Sequence, residues 1–178
     1  MSDNNNQTAK KTVLQIYAVF GASLLLSLVP IPTAAFFSFV FGVGVLIAAY
    51  ALRKKNDEGS LIENHMTFII RTIWIGSFFA MITTVVGSIY LFLNIDNAPL
   101  EPCMNDLVNH AQNITGLRGL ETVFGNCYEP YWVINAHAFI TSFAIVALPV
   151  LVYFSVRYAR GLARAANGYR VANHLGWF

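Results

Sequence analysis

Charge is scarce in this chain of 178 residues. Lys, Arg, Asp and Glu together make up 11% of it, against 56% hydrophobic residues, and mean hydropathy is +0.55. Ordinary soluble domains carry roughly 25% charged residues. A soluble fold of this size could not hide so much apolar surface from water. The shortage is sharpest in four long apolar runs, none of which holds an Asp, Glu, Lys or Arg in its core. Ionisable groups inside a bilayer mark ion paths and proton relays. Their absence argues against a proton-coupled transporter or an ion pump.

Metal-binding and catalytic patterns are also missing. Cys103 and Cys127 are the only cysteines, and no Cys-x-x-Cys or His-x-x-x-His spacing occurs. Zinc sites need such clustered ligands. No phosphate-cradling glycine loop and no nucleophile–base pair stands out. The sequence therefore predicts no catalytic residue, no cofactor and no metal, and a protein that is not an enzyme.

The little charge present is segregated. Lys10, Lys11, Arg53, Lys54, Lys55, Arg71, Arg157, Arg160, Arg164 and Arg170 fall in segments that share one side of the apolar runs, with Asp3, Asp57, Glu58 and Glu63. Arg118 alone falls on the other side, with Asp96, Glu101, Asp106, Glu121 and Glu129. Basic loops stay in the cytoplasm. The expectation is an all-α, integral membrane four-helix bundle in a cell inner membrane, with both termini cytoplasmic. The basic residues hug helix ends, where lipid headgroups are nearer partners than nucleic acid.

The threading follows. Residues 1–11 read as a disordered cytoplasmic tail. The transmembrane domain is 12–158, with helices at 12–29, 33–52, 67–93 and 132–156. The first run could pass for a signal peptide, but it is long and a second run follows at once. Pro30 and Pro32 break the first hairpin, because proline cannot continue a hydrogen-bonded turn. Arg53-Lys54-Lys55 ends the second helix. The third begins as an interfacial stretch near 60–66, with Arg71 and Trp74 at its cytoplasmic edge. Residues 159–178 form a basic cytoplasmic segment, and the spacing of Arg157, Arg160 and Arg164 suggests that the fourth helix continues into it along lipid headgroups. No internal repeat is apparent.

Residues 95–130 form the outside loop. Both cysteines lie there, on the side that favours oxidation. A Cys103–Cys127 disulfide would stabilise the loop by roughly 3 kcal/mol in the chain-entropy account. Met104, Leu107, Val108 and Ala111 recur at helical spacing and predict a short amphipathic helix. Asn113-Ile114-Thr115 has the form of a glycosylation sequon.

Two stripes of small residues predict close helix packing inside the bundle: Gly76, Ala80, Thr84 and Ser88, and Ala34, Ser38 and Gly42. Asn135 and His137 near the outer end of the fourth helix, and Gln15 near the inner end of the first, are the polar residues closest to the membrane interior.

Two segments carry a family resemblance. HMTFIIRTIW, from His65 to Trp74, resembles the His-x-x-x-x-x-Arg-Thr-Phe-Trp signature of a family of small bacterial four-helix membrane proteins. That family is remotely related to the import translocon subunit of the plant chloroplast inner envelope. VRYARGLARAANGYRVAN, from Val156 to Asn173, is similar to the family's basic Arg-x-x-x-Gly-Leu ending with Asn/Asp-Gly. The matching residues are His65, Arg71, Thr72, Trp74, Arg160, Gly161, Leu162, Asn167 and Gly168. Tyr169-Arg170-Val171 stands where the family has an Arg-Pro ending, and the cysteine loop is an addition. The resemblance implies a cytoplasmic contact belt where the third-helix entry meets the C-terminal helix. It implies no defined activity.

The leading expectation is a non-enzymatic accessory or scaffold subunit of a membrane assembly, in contact with the lipid bilayer and other membrane protein subunits. The alternative is a small channel or passive transporter, for protein translocation or an apolar solute, lined by Gln15, Thr83, Thr84, Asn135 or His137. A membrane enzyme using His65, Arg71 and His137 ranks last, because His65 and His137 fall near opposite faces.

Overall fold

The computed structural model describes residues 2–110, 116–172 and 176, and of these the side chains of all but 2–5, 103, 106, 107, 109, 110 and 116–127. The described chain is helical, with no strand. Helix α1 is Ser2–Ser27, α2 Pro32–Lys55, α3 Leu61–Asn94, α4 Glu101–His110 and α5 Gly116–Ala166, with a single 3₁₀ turn at Ala98–Leu100 before α4. Four segments are long and apolar enough to cross a membrane: Asn6–Ser27, Pro32–Lys55, Leu61–Asn94 and Tyr128–Ala166. At 1.5 Å per residue, α1 and α2 measure about 36–39 Å, α3 about 51 Å and α5 about 76 Å.

The helix ends follow local chemistry. Pro32 opens α2, where its missing N–H costs nothing. Ser60 caps α3, its hydroxyl accepting from the Glu63 N–H at 3.2 Å, while Glu63 accepts in return from the Gly59 N–H at 3.3 Å. This is close to a capping box. Gly59 has φ +75°, a conformation that favours glycine. At the other end, Gly168 has φ +71° and donates to the Ala165 carbonyl, and the Tyr169 N–H reaches back to the Arg164 carbonyl. That pair of bonds is a Schellman ending. It turns the chain after Asn167-Gly168.

Several boundaries differ from the sequence reading. The polar start is helical from Ser2, continuous with the apolar part of α1. The segment 95–130, expected as a loop outside the membrane, is mostly helix: α4 covers its first part, and α5 begins at Gly116, far ahead of residue 132. Helix α5 also runs on to Ala166, through Pro130 and Pro149. Cys103 lies in α4 and Cys127 in α5, but their side chains fall outside the described ones, and so does the expected disulfide. The sequon at 113–115 lies outside the described residues.

Large apolar side chains crowd the surface as well as the core. Large apolar residues face outward along α2 (Phe36, Phe39, Val43, Ile47), α3 (Phe78, Ile82, Val85, Phe92) and α5 (Ile140, Phe143, Leu148, Val152). The buried set includes Ser23, Asn64, His65, Thr72, Asn135, Ser142 and Arg157. In hydrocarbon no water satisfies a polar group, so it must turn inward to a protein partner.

The chain divides into two compact units, Met1–Phe79 with Val150–Phe178, and Ala80–Pro149. In the first, all four long helices contribute to one core: Val13, Tyr17 and Phe20 from α1, Val45 and Ala49 from α2, Met66, Ile69 and Ile70 from α3, and Ala165 from α5. Ser23 and Ser38 clasp α1 to α2, each hydroxyl donating to the other's carbonyl at 2.9 Å. Gly42 sits beside them, so the α2 small-residue stripe faces α1. In the second unit, Ser142 donates to the Gly87 carbonyl at 2.9 Å. Asn135 holds Asp96 by accepting from its N–H at 2.7 Å and donating to its carbonyl at 2.9 Å.

The α3 stripe behaves otherwise than expected. Gly76 is buried, but Thr84 and Ser88 are exposed and Ala80 is between. Steps of four residues overshoot a 3.6-residue turn, and by Ser88 the stripe has rotated about 120° around the helix. The inward line alternates its steps instead, through Gly76, Ala80, Thr83 and Gly87. Gly76 meets Phe154, whose Cε2 is 2.7 Å from where a Cβ would stand.

Candidate functional site at the entry of α3

Seven consecutive residues, Asn64 to Ile70, are buried. Seven residues cover nearly two helical turns, so every side of α3 is surrounded here. Of the stretch 60–66 expected at the membrane interface, Asn64, His65 and Met66 are buried inside the protein and residues 60–63 are half-buried. The buried segment is not apolar: it includes Asn64, His65 and Thr67. Each has an internal partner.

The segment after the Schellman turn supplies two of them. Asn64 accepts from the Val171 N–H at 2.8 Å and donates to the Val171 carbonyl at 3.3 Å. His65 Nε2 lies 3.0 Å from the Tyr169 carbonyl and Nδ1 lies 3.2 Å from the Tyr17 hydroxyl. A carbonyl can only accept, so Nε2 carries the proton. In the neutral ring Nδ1 is then the acceptor, and Tyr17 donates to it. Tyr17 in turn receives the Tyr158 hydroxyl on its backbone carbonyl at 3.3 Å. Thr67 donates to Glu63 at 2.7 Å.

Arg157 is the largest fully buried side chain, at 1% exposure. The sequence reading placed it on lipid headgroups with Arg160 and Arg164. Those two are exposed, but Arg157 points inward. Its Nε donates to the Thr72 hydroxyl at 3.1 Å and its Nη1 to the Gly176 carbonyl at 2.8 Å. Its guanidinium carbon lies 4.0 Å from the centre of the Phe68 ring, a cation–π contact. Thr72 passes its own proton to the Phe68 carbonyl at 2.7 Å.

Gly161 makes room for this cluster. A Cβ there would stand 2.8 Å from Tyr17 Cζ and 2.9 Å from Phe68 Cε1. Leu162 packs on the core. The structure thus gathers His65, Thr72, Gly161 and Leu162 of the expected belt. Arg160 and Trp74 face outward, and Trp74 donates to the Tyr50 hydroxyl at 3.0 Å. Arg71 is half-buried. His137 and Gln15 are exposed.

The sequence reading does not single out Tyr17 or Asn64, places Arg157 on lipid headgroups, and takes Tyr169-Arg170-Val171 only as a departure from the family's ending. A signal existed for Arg157. Tyr153, Arg157, Gly161 and Ala165 follow at steps of four, and all four are buried. Two small residues mark that face as a packing face, and Arg157 stands on it.

The arrangement ties the beginning of α3 to the end of α5 through polar groups that mostly satisfy one another. Compared with known proteins, the chain matches no family model, no curated protein and no solved structure.

Proposed function

We propose that the chain is a multi-pass protein of a cell inner membrane, with both termini cytoplasmic, that serves as a non-enzymatic accessory or scaffold subunit of a membrane assembly. One observation carries the reading. The polar residues of the interior are engaged in fixing helices to one another, while the apolar faces of α2, α3 and α5 are left for lipid and for other subunits. The orientation follows from the basic residues, since Lys and Arg are retained on the cytoplasmic side. A Cys103–Cys127 disulfide on the outer side belongs to the same proposal. So does kinship with the small bacterial four-helix family, which the His65-to-Trp74 and Val156-to-Asn173 segments motivate.

Of the groups named for a channel, Gln15, Thr84 and His137 are exposed, Thr83 is half-buried, and Asn135 is buried with its amide bonded to the Asp96 backbone. A passive transporter would turn such groups together toward one interior path, so the exposure of three of them favours the subunit reading.

The test is purification from gently solubilised membranes, followed by mass measurement of the intact particle. A complex with a defined second membrane protein is expected. A particle containing this chain alone, at every detergent-to-protein ratio, would count against the proposal.

A further inference from the structure

Among the described residues none places a carboxylate beside Arg157, and the one ion pair joins Arg53 to Glu63. The ionisable groups around it among the described residues are the arginines Arg71 and Arg160 and the phenols Tyr17 and Tyr153. A buried cation without a counter-charge is expensive, and several kcal/mol per ion is the usual scale of the penalty. The Phe68 ring offsets only part of that. Two guanidinium nitrogens are also buried without a hydrogen-bond partner: Nη2 of Arg157 and Nε of Arg71. The Arg157 guanidinium rests on the Phe68 ring and bonds Thr72, and Arg71 adjoins Thr72 and lies about one turn from Phe68 on α3, so both arginines belong to one stretch of that helix. Arg71 itself is half-exposed.

Orphan donors and uncompensated charge point the same way. Guanidinium N–H groups are fork-shaped donors that match the oxygens of phosphate and carboxylate. We propose that Arg71 and Arg157 form a binding site for a phosphate-type oxyanion, which completes the hydrogen bonding of both guanidiniums. The oxyanion is carried by an anionic lipid headgroup or by a soluble phosphate. Thr72 and the Gly176 carbonyl hold the Arg157 guanidinium in place, so its remaining nitrogen is pre-positioned. The site stands apart from the subunit reading and does not depend on it.

The experiment uses the full chain in nanodiscs, in chloride buffer at constant ionic strength. Three conditions are compared: phosphatidylcholine alone, phosphatidylcholine with added inorganic phosphate, and phosphatidylcholine containing phosphatidylglycerol. A ligand that binds only the folded state raises Tm by mass action, here by roughly 5 °C or more at saturation. A rise with phosphatidylglycerol assigns the site to a lipid headgroup, and a rise with inorganic phosphate assigns it to a soluble ligand. No rise in either condition overturns the proposal. Arg71→Gln and Arg157→Gln should weaken the anion dependence at least about tenfold, the equivalent of one charge-assisted hydrogen bond. A purely structural arginine would lower Tm equally in all three conditions and leave the anion-dependent increment intact, which also overturns it. Should Arg157→Gln fail to fold, Arg71→Gln and the wild-type titration decide the matter.

Discussion

The side chain of Asn64 and the backbone of Val171, separated by 107 positions, hold each other through two hydrogen bonds of 2.8 and 3.3 Å. An asparagine amide has the same donor and acceptor as a peptide group. It can pair with an extended segment as a neighbouring strand would. Asn135 does the same to Asp96 in the other unit. In both places an irregular piece of chain is tied to a helix by one amide.

Asn64→Leu keeps the volume but removes both bonds, leaving the Val171 N–H and carbonyl buried and unpaired. The expected loss is about 1–3 kcal/mol per stranded group. Hydrogen exchange at the Val171 amide should accelerate in the variant. An unchanged exchange rate would show that the segment is held by something else.

Glycine substitutions should separate by position. Gly161→Ala drives a methyl group into Tyr17 and Phe68. Overpacking of this kind costs typically about 1–3 kcal/mol. A Cβ on Gly44 meets nothing within 4 Å, in the middle of α2. Gly44→Ala should therefore be neutral or stabilising by up to about 1 kcal/mol, the difference in helix propensity. Thermal unfolding of the two variants side by side gives the comparison. Equal effects would contradict the packing described at Gly161.

His65 should be neutral and protonated on Nε2. Nitrogen-15 NMR of the imidazole distinguishes the two ring nitrogens, and the Nε2–H form is expected. Tyr17→Phe removes the donor to Nδ1 and should cost about 1 kcal/mol. The tautomer should survive in that variant, because the Tyr169 carbonyl still fixes it. A ring protonated on Nδ1 would mean that the segment after Gly168 is not seated on α3.

Much of the fold could be read in the sequence where one residue acts on its own neighbours. Pro30 and Pro32 interrupt the first hairpin between α1 and α2. Arg53-Lys54-Lys55 closes α2. Asn167-Gly168 ends α5 by a turn that needs a left-handed residue. The site was less legible, because it depends on how helices are rotated against each other. Arg157 looked like an interfacial arginine beside Arg160 and Arg164. Only the packing of α5 on α3 distinguishes the one that turns inward. Thr84 and Ser88 matched a small-residue spacing, yet the turn of the helix carries them outward. The polar stretch Asn64-His65 resembled an interfacial segment because its partners, Tyr17 and Tyr169–Val171, are remote in sequence.

The proposal that this is a membrane-spanning chain with its basic side in the cytoplasm has one direct test. Intact cells are treated with a membrane-impermeant maleimide, with and without prior reduction, and labelling of Cys103 and Cys127 is measured. The prediction is that neither reacts until a reductant is added, and that both then react from outside. Cysteines that are already reduced, and that label only after the cells are broken open, would contradict the orientation and the disulfide together.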